Sequence, residues 1–549
     1  MKFAKSLYKW DLAQYFTPHE VIDFIVDIAN PQQDEHVHDP ACGSADFLIS
    51  AFRRAGPTAQ NCVWGADNSE QAVQISILNM VLNGDGKTQI LNQDSLRAYT
   101  SQARRFSVTL CNPPFGTKIV ERRFEVLRKF DMGHKWIKDG DGHLVQNGEV
   151  RPSQQTGILF AELCVRLTEP GGRIAIILPN GYLGNKGSEY TALREWLLCH
   201  TRIAAVMAFP RFTFKKSGAD VSASVLVMER RRLPLSHARM SKDYSFFVGN
   251  IESVGWRAGD KTASPVYVRD QANGELVLDE ENEPILDADF SAVAGEFLRS
   301  AAVDHFPWAL TDRPIVNGSQ TSSIPIEEIS SSPILMLDPK RHAPKFRDLR
   351  AKIIDRAFFR LGDMIEVVHS KRPRIQAAET YNYVEIEKVG IGEYDYSTLR
   401  GWQLADRARL TAQPGDIFIP HIWSCAGKWF MAAGDCSRII VTNGCSRFRP
   451  KEEGVTYLPD IFVGLSSELF AVQMRGFSTG SDGLAETSDE DILEIVVPKL
   501  SSERRIEVQA RSEPLMVGQD KFVRYVKSVL VDDNTYPEPP LRRSHTSLV

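Results

Sequence analysis

The chain has 549 residues, 43% of them hydrophobic and 25% charged, with a formal net charge of −5. That leaves room for two to four domains of ordinary globular composition. No apolar run is long enough to cross a bilayer, and the N-terminal MKFAKSLYKWDLAQYF lacks a signal-peptide core, so a cytoplasmic protein without a membrane partner is expected. The eight cysteines form no CxxC pair, which argues for reduced thiols rather than a disulfide framework.

The charge is unevenly spread. Asp270 to Phe297 carries nine acids and no Lys or Arg, Asp338 to Arg374 carries eleven Lys/Arg against five acids, and Lys118 to Lys138 carries seven against three. A polyanion would meet the two basic stretches and avoid the acidic one, although most charge runs are simply solvated surface.

Taken in chain order, PHEVIDFIVDIA has helical spacing, with Thr17 as the N-cap and Pro18 at the first helical position. A strand ends at Val37–His38, and a Gly-bearing turn leads into the helix FLISAFRRA. CVWGAD reads as a strand, SEQAVQISILNMVLNG as a helix ended by Gly84, and TQILNQD as a strand. FSVTLCNPPF is a strand running into a turn, ILFAELCVRLTEPGG a helix closed by Gly171, and RIAIILP a buried strand. The strands IAAVMAFP and SASVLVMER follow a helix around TALREWLLC. This alternation predicts an α/β fold, a mostly parallel sheet covered by helices, with ligands beyond the carboxyl ends of the strands. Residues 236–330 show no strong period and are expected to be a peripheral extension and linker. From about residue 360, short segments such as YNYVEIEKVG, PGDIFIP, KWFMAA and SRIIVT predict a β-rich domain. A charged helix over roughly 502–530 follows, and then a disordered tail.

The sharpest motif is Asn112-Pro113-Pro114-Phe115, placed directly after a strand. An exocyclic adenine amine is a poor nucleophile because its lone pair is delocalised into the ring. The Asn112 side-chain carbonyl and the Pro113 main-chain carbonyl can each accept one amine hydrogen, drawing nitrogen toward tetrahedral geometry. The two prolines stiffen the turn, and Phe115 offers a ring to stack on a purine. Asp39-Pro40-Ala41-Cys42-Gly43-Ser44-Ala45-Asp46-Phe47 joins the first strand to its helix, with small residues that admit a ligand to the backbone. Asp67 and Asp94 close the next two strands, where acids commonly take ribose hydroxyls or a base amine. Each alone could be a turn or cap residue; in order on successive strand ends they form one constellation.

With those motifs the segment from Gln14 to about Arg230 resembles the catalytic subunit of type I restriction-modification systems and related amino-group DNA methyltransferases. QYFTP, DPACGSADF, NPPFG, PGGRIAIILPNGYL and AFPRFTF…SASVLVMER are similar to the family's motifs. The resemblance implies a Rossmann-like S-adenosylmethionine-dependent methyltransferase domain, with Thr17, Asp39, Cys42, Gly43, Asp67 and Asp94 lining the cofactor site and Phe214 as a second aromatic against an extruded base. Ala45 and Asp46 stand where the family has two glycines, and with QYFTP beginning at residue 14 the helical N-terminal domain usual in the family is not expected in this sequence. PGDIFIP, IIVTNGCSRFRP and GLAETSDEDILEIVVPKLSSERRI resemble the target-recognition domains of type I specificity subunits. That similarity implies an α+β domain in which Lys371, Arg372, Arg374, Trp423, Lys428, Trp429, Arg447 and Arg449 contact DNA. Only one such domain fits, so a homodimer or a restriction or specificity subunit partner is expected beside double-stranded DNA.

His421, Cys425, Cys436 and Cys445 match no zinc spacing, so no metal is expected. The expected division is a catalytic domain over 1–235, the extension over 236–330, a target-recognition domain over 331–500, and a helix with a tail over 501–549. The expected activity is site-specific DNA adenine-N6 methylation in a restriction-modification or phage-defence setting. The alternatives are an RNA or protein-amide N-methyltransferase, or a non-catalytic DNA-binding subunit, the latter motivated by Ala45 and Asp46.

Overall fold

The computed structural model describes residues 17–56, 62–99, 106–114, 116, 119–217, 221–257, 264–279, 282–308, 320–369, 372–479 and 485–512. Phe115, Lys371 and the expected tail lie outside these residues. The chain divides into two compact units, Met1–Ala343 and Pro344–Val549.

The first unit is built on nine strands: β1 (Val37–Asp39), β2 (Val63–Asp67), β3 (Gln89–Asn92), β4 (Phe106–Cys111), β5 (Thr168–Pro179), β6 (Thr201–Ala208), β7 (Ala223–Arg230), β8 (Ser245–Asn250) and β9 (Gln320–Pro325). Their order across the sheet is β9-β8-β6-β7-β5-β4-β1-β2-β3. From β3 to β5 all neighbours are parallel. β7 runs antiparallel to both β5 and β6. Parallel strands must bury both faces, which is why VTLC and IAIIL are continuously buried rather than alternating. The chain moves outward from β1 through β2 to β3, then returns to the other side of β1 as β4. Connections therefore diverge between β1 and β4, and the crevice at their carboxyl ends is the place such a sheet leaves for a ligand.

The helices carry the apolar stripes that seal the sheet. α1 (His19–Ala29) buries Val21, Ile22, Phe24, Ile25, Val26 and Ile28. Its N-cap is Pro18 rather than the expected Thr17, whose hydroxyl is engaged elsewhere. α2 (Asp46–Ala55) follows β1, and α3 (Glu70–Leu82) follows β2 with Ser69 as N-cap, its hydroxyl accepting the Ala72 N–H at 3.3 Å. α4 (Thr156–Leu167) precedes β5, α5 (Ser188–His200) precedes β6, and α6 (Phe290–Val303) lies against α1.

The segment 236–330, expected as an extension and linker, contributes structure to this unit. It supplies β8, which pairs with β6, then β9, and α6, whose Phe290 ring sits 5.2 Å from that of Phe24. Its weak sequence period has a physical reason: the acidic stretch forms isolated bridges such as Tyr267–Leu286 and Leu278–Pro284 rather than long strands.

The second unit is α+β. α7 (Pro344–Ile354) leads into β10 (Phe358–Arg360), β11 (Ile365–Val367), β12 (Thr380–Val384), β13 (Ser397–Arg400), β14 (Ala408–Thr411), β15 (Ile417–Pro420), β16 (Phe430–Met431), β17 (Ile439–Thr442) and β18 (Cys445–Pro450). α8 (Leu458–Ser466), α9 (Glu468–Phe477), β19 (Val496–Pro498) and α10 (Ser502–Ser512) complete it. It holds two four-stranded sheets, β11-β18-β15-β16 and β13-β12-β17-β14, and a separate two-stranded pair, β10-β19. Cys436 and Cys445 are packed in an apolar cluster with Val384, Phe418, Phe430 and Val441.

Two residues expected at a DNA surface are interior instead. Trp429 is 1% exposed, stacks on Phe462 with ring centroids 5.4 Å apart, and donates its indole N–H to Ser466 Oγ at 3.2 Å. Arg447 is buried against the fully buried Asp416 at 2.5 Å, and Arg449 caps the same carboxylate at 2.7 Å. A large ring is stabilised by burial, whereas an arginine is held inside only beside a carboxylate that offsets its desolvation, and the short-strand pattern could not separate inward from outward positions. Trp429→Ala is expected to destabilise the chain by about 3–5 kcal/mol, read as a lower denaturant midpoint with an unchanged slope.

Candidate active site

A cleft of about 510 Å³ opens at the carboxyl ends of β1 to β4, lined among others by Gly43, Asp67, Asp94, Asn112, Pro113 and Pro114. The loop after β1 forms its floor. Gly43 takes a left-handed φ of +54° and donates its N–H to Asp67 Oδ2 at 3.0 Å. A Cβ at Gly43 would meet no atom within 4 Å, so the missing side chain is open space facing the cleft. Two residues of α3 clamp the loop from behind. Ser76 Oγ donates to the Gly43 carbonyl at 2.6 Å, and Asn79 Nδ2 donates to the Ser44 carbonyl at 2.9 Å.

The departures at 45 and 46 are accommodated. Ala45 adopts the left-handed conformation itself, φ +66°, with its methyl fully buried. An L-residue there costs roughly 1–2 kcal/mol, which local packing offsets. Asp46 opens α2, accepts the Ser44 hydroxyl at 2.5 Å, and does not line the cleft. A carboxylate at a helix N-terminus is favourably placed.

The acids on successive strand ends do different things. Asp67 accepts Gly43 N–H on one oxygen and Ser69 N–H, at 2.9 Å, on the other. Asp94 caps a short turn, with Arg97 N–H at 3.3 Å, and meets Arg123 at 2.6 Å. Arg123 in turn pairs with the buried Glu121 at 2.5 Å, so one guanidinium ties the edge beyond β4 to the end of β3. Burial pushes the Glu121 carboxyl up, but hydrogen bonds from the Arg123 side chain and the backbone outweigh it and hold it below its ordinary range.

Asp39, Cys42 and Thr17 are not among the residues that line this cleft. Asp39 is 2% exposed and accepts the Ala41 N–H at 3.0 Å. Burial pushes its carboxyl up to about 8, opposed by that N–H and reinforced by the Asp67 charge. Cys42 packs with Leu48, Val63 and Met80, and burial, with Asp39 and Asp67 nearby, raises its thiol well above the usual range.

At the end of β4, the Asn112 amide is held from one side. Its Nδ2 donates to Thr17 Oγ1 at 2.8 Å. Its Oδ1 is buried and has no hydrogen-bond partner among the described residues. Thr156 Oγ1 donates to the Pro114 carbonyl at 2.8 Å, which pins the turn to the start of α4. Phe214 is 1% exposed, edge-on to Phe209 at 5.8 Å, so its faces are not open to a base; the expected second stacking ring belongs to the core. Sequence reasoning missed Glu121, Arg123 and Thr156. The first two sit inside the basic stretch already noticed, but nothing in a charge count marks a side chain that turns inward.

Of the expected DNA-contact residues, Arg372 and Arg374 are exposed, Arg372 lying 3.5 Å from Asp406. Trp423 and Lys428 are half-buried, with the Arg475 guanidinium 5.9 Å from the Trp423 ring.

The raised Asp39 group has a stability consequence. Between about pH 4 and 8 the unfolded chain releases this proton while the folded chain keeps it, so stability falls as pH rises through that window. Asp39→Asn is expected to flatten this dependence, by up to about 1.4 kcal/mol per pH unit, in unfolding curves recorded from pH 5 to 8. Identical slopes in both proteins would show that the carboxyl is not held protonated.

The family model for N-6 DNA Methylase matches residues 1–252. The methylase subunit of the type I restriction enzyme EcoEI from Escherichia coli is 24% identical over 213 residues, covering 37% of this chain and 39% of that protein. The EcoKI methylase subunit from Escherichia coli strain K12 is 25% identical over 232 residues, covering 38% and 39%. The crystal structure of the type IIG restriction endonuclease BpuSI aligns with a TM-score of 0.47 and 12% identity over 94% of this chain and 61% of that one. The chain thus spans about two fifths of the length of the curated relatives it matches. The residues that match this N-6 DNA methylase family model, 1–252, are those that carry the strand-end acids and the Asn-Pro-Pro turn.

Proposed function

We propose that the chain is an S-adenosylmethionine-dependent DNA methyltransferase acting on the exocyclic N6 amine of adenine, within a restriction-modification system. The observation that carries this reading is the Asn112 carbonyl oxygen, buried and unpartnered at the cleft while its amide nitrogen is already engaged. An acceptor kept unpaired is costly unless something arrives to donate to it, and an adenine amine supplies two N–H groups.

The cleft fits the cofactor: Gly43 leaves an open cradle at a backbone turn, and acids line the walls. Gly43, Asp67 and Asp94 would hold it, since carboxylates that each accept one or two protein hydrogen bonds retain lone pairs for ribose hydroxyls and a base amine. When bound, S-adenosylmethionine supplies a methyl group made electrophilic by its sulfonium. The protein's own part is positioning. Asn112 Oδ1 and the Pro113 carbonyl accept the two amine hydrogens and aim the nitrogen lone pair. Thr17 keeps the amide from rotating, and Thr156 keeps the turn from moving. No dedicated base is needed, because the proton leaves after nitrogen has become cationic. The target adenine has to leave the duplex to reach this turn.

The unit from Pro344 onward is proposed as the target-recognition domain, with Arg372 and Arg374 at its exposed surface and Lys428 and Trp423 as further contacts. A restriction or specificity subunit, or a second copy of the chain, is proposed as partner. The non-catalytic alternative loses its motive, since Ala45 keeps the turn conformation that a glycine would give.

Incubation with labelled S-adenosylmethionine and unmethylated DNA is expected to label adenine N6. Asn112→Ala is expected to lower kcat by about 10²–10³-fold with the fold intact, and an unchanged rate would overturn the assignment. Thr17→Val is expected to lower kcat by about tenfold, with less effect on the KM for the cofactor, and Thr17→Ser to restore it. A raised cofactor KM at full kcat would instead make Thr17 a cofactor ligand.

A further inference from the structure

Beside the cleft lies a surface that the chemistry above does not use. Glu121 and Arg123 form one rim of the cleft. The next turn, Phe124–Leu127, is anchored from beneath by Val126 and Leu127, both fully buried. Glu121 Oε1 accepts the N–H groups of Arg122 at 2.9 Å and Arg123 at 2.8 Å, so the approach to the turn is fixed as well. On this rigid base Phe124 is 62% exposed. Arg122 and Arg128 are exposed on either side of it, and their guanidinium groups make no hydrogen bond or ion pair with any described residue. Arg128 stands four residues after Phe124 and shares its face of the turn. Arg123, by contrast, is spent on Glu121 and Asp94. Glu125 is the one exposed acid in the group.

We infer that Arg122, Phe124 and Arg128 form a docking surface for the nucleic-acid strand that delivers its base into the cleft. The two arginines take phosphates, and the Phe124 ring stacks on a base left without its neighbour. The chemistry singles out this partner. A strand from which one base has been withdrawn presents two things side by side, backbone anions and an uncovered base face, and this rim offers a cation–ring–cation array continuous with the Asn112 cleft. An acidic protein would satisfy the arginines but has no reason to end at the cleft. The inference rests on the proposed DNA methylation, and names how that site holds its substrate.

The test uses the full chain with Phe124→Ala, Phe124→Tyr and the double variant Arg122→Ala/Arg128→Ala. Binding of a mixed-sequence DNA duplex is measured across salt, and methyl transfer on duplexes carrying the chain's own site, found by sequencing methylated DNA. The double variant is expected to reduce the slope of log affinity against log salt by about one for each arginine removed. Phe124→Ala is expected to lower kcat/KM by about tenfold or more on a fully paired duplex, and by much less when the target adenine faces an abasic site, while Phe124→Tyr stays near the parent. Variants that match the parent in both assays would overturn the inference while leaving the methylation reading intact. If the parent methylates no DNA yet binds duplex with a slope that depends on the two arginines, the surface stands and the methylation reading falls. If the parent binds no duplex, both fall.

Discussion

The side-chain amide of Asn112 sits at the end of β4 with its two ends treated differently. The nitrogen is satisfied by Thr17, and the oxygen is buried without a partner. Leaving such an acceptor unmade costs about 1–3 kcal/mol, and here the fold carries that cost at a well-braced point. The bracing comes from far along the chain: Thr17 precedes α1, Thr156 opens α4, and β4 is held between β1 and β5. A turn made rigid by two prolines would be of little use if its strand moved. The parallel core of the sheet, buried on both faces, supplies the immobility.

The cleft around this turn is acidic. Asp67, Asp94 and Glu121 line it, the buried Asp39 lies near Asp67, and Arg123 is the cation that bridges Asp94 and Glu121. The burial of Asp39 favours its neutral form, and its proximity to Asp67 adds to the effect. A ligand with positive charge relieves this repulsion, while an anion would increase it. The same Arg123 separates the interior of the cleft from its rim. Inward it neutralises carboxylates; outward its neighbours Arg122 and Arg128 remain available to a polyanion.

The second unit shows how far composition can mislead. Its basic and aromatic residues look alike in the sequence, yet Trp429 and Arg447 fill its core while Arg372 and Arg374 face solvent. Arg447 is interior because Asp416, thirty-one residues earlier, is brought against it by the pairing of β15 with β18. The expected boundary near 330 and the reading of 236–330 as a linker faltered for a related cause. β8 and β9 are short and lie far apart in sequence, and they become strands by pairing with β6 and with each other.

The sequence by itself determined the alternation of strands and helices through residue 230, the parallel sheet, and the placing of Asp39, Asp67, Asp94 and the Asn-Pro-Pro turn on successive strand ends. Those features are local, written in apolar period and turn chemistry over a few residues. Only the tertiary structure decided that Thr17 holds Asn112 rather than capping α1, that Phe214 is core, and that Arg123 spans Asp94 and Glu121. Each of these depends on which side chains the sheet order brings within about 3 Å of one another, a contact set by long-range pairing rather than by neighbours along the chain.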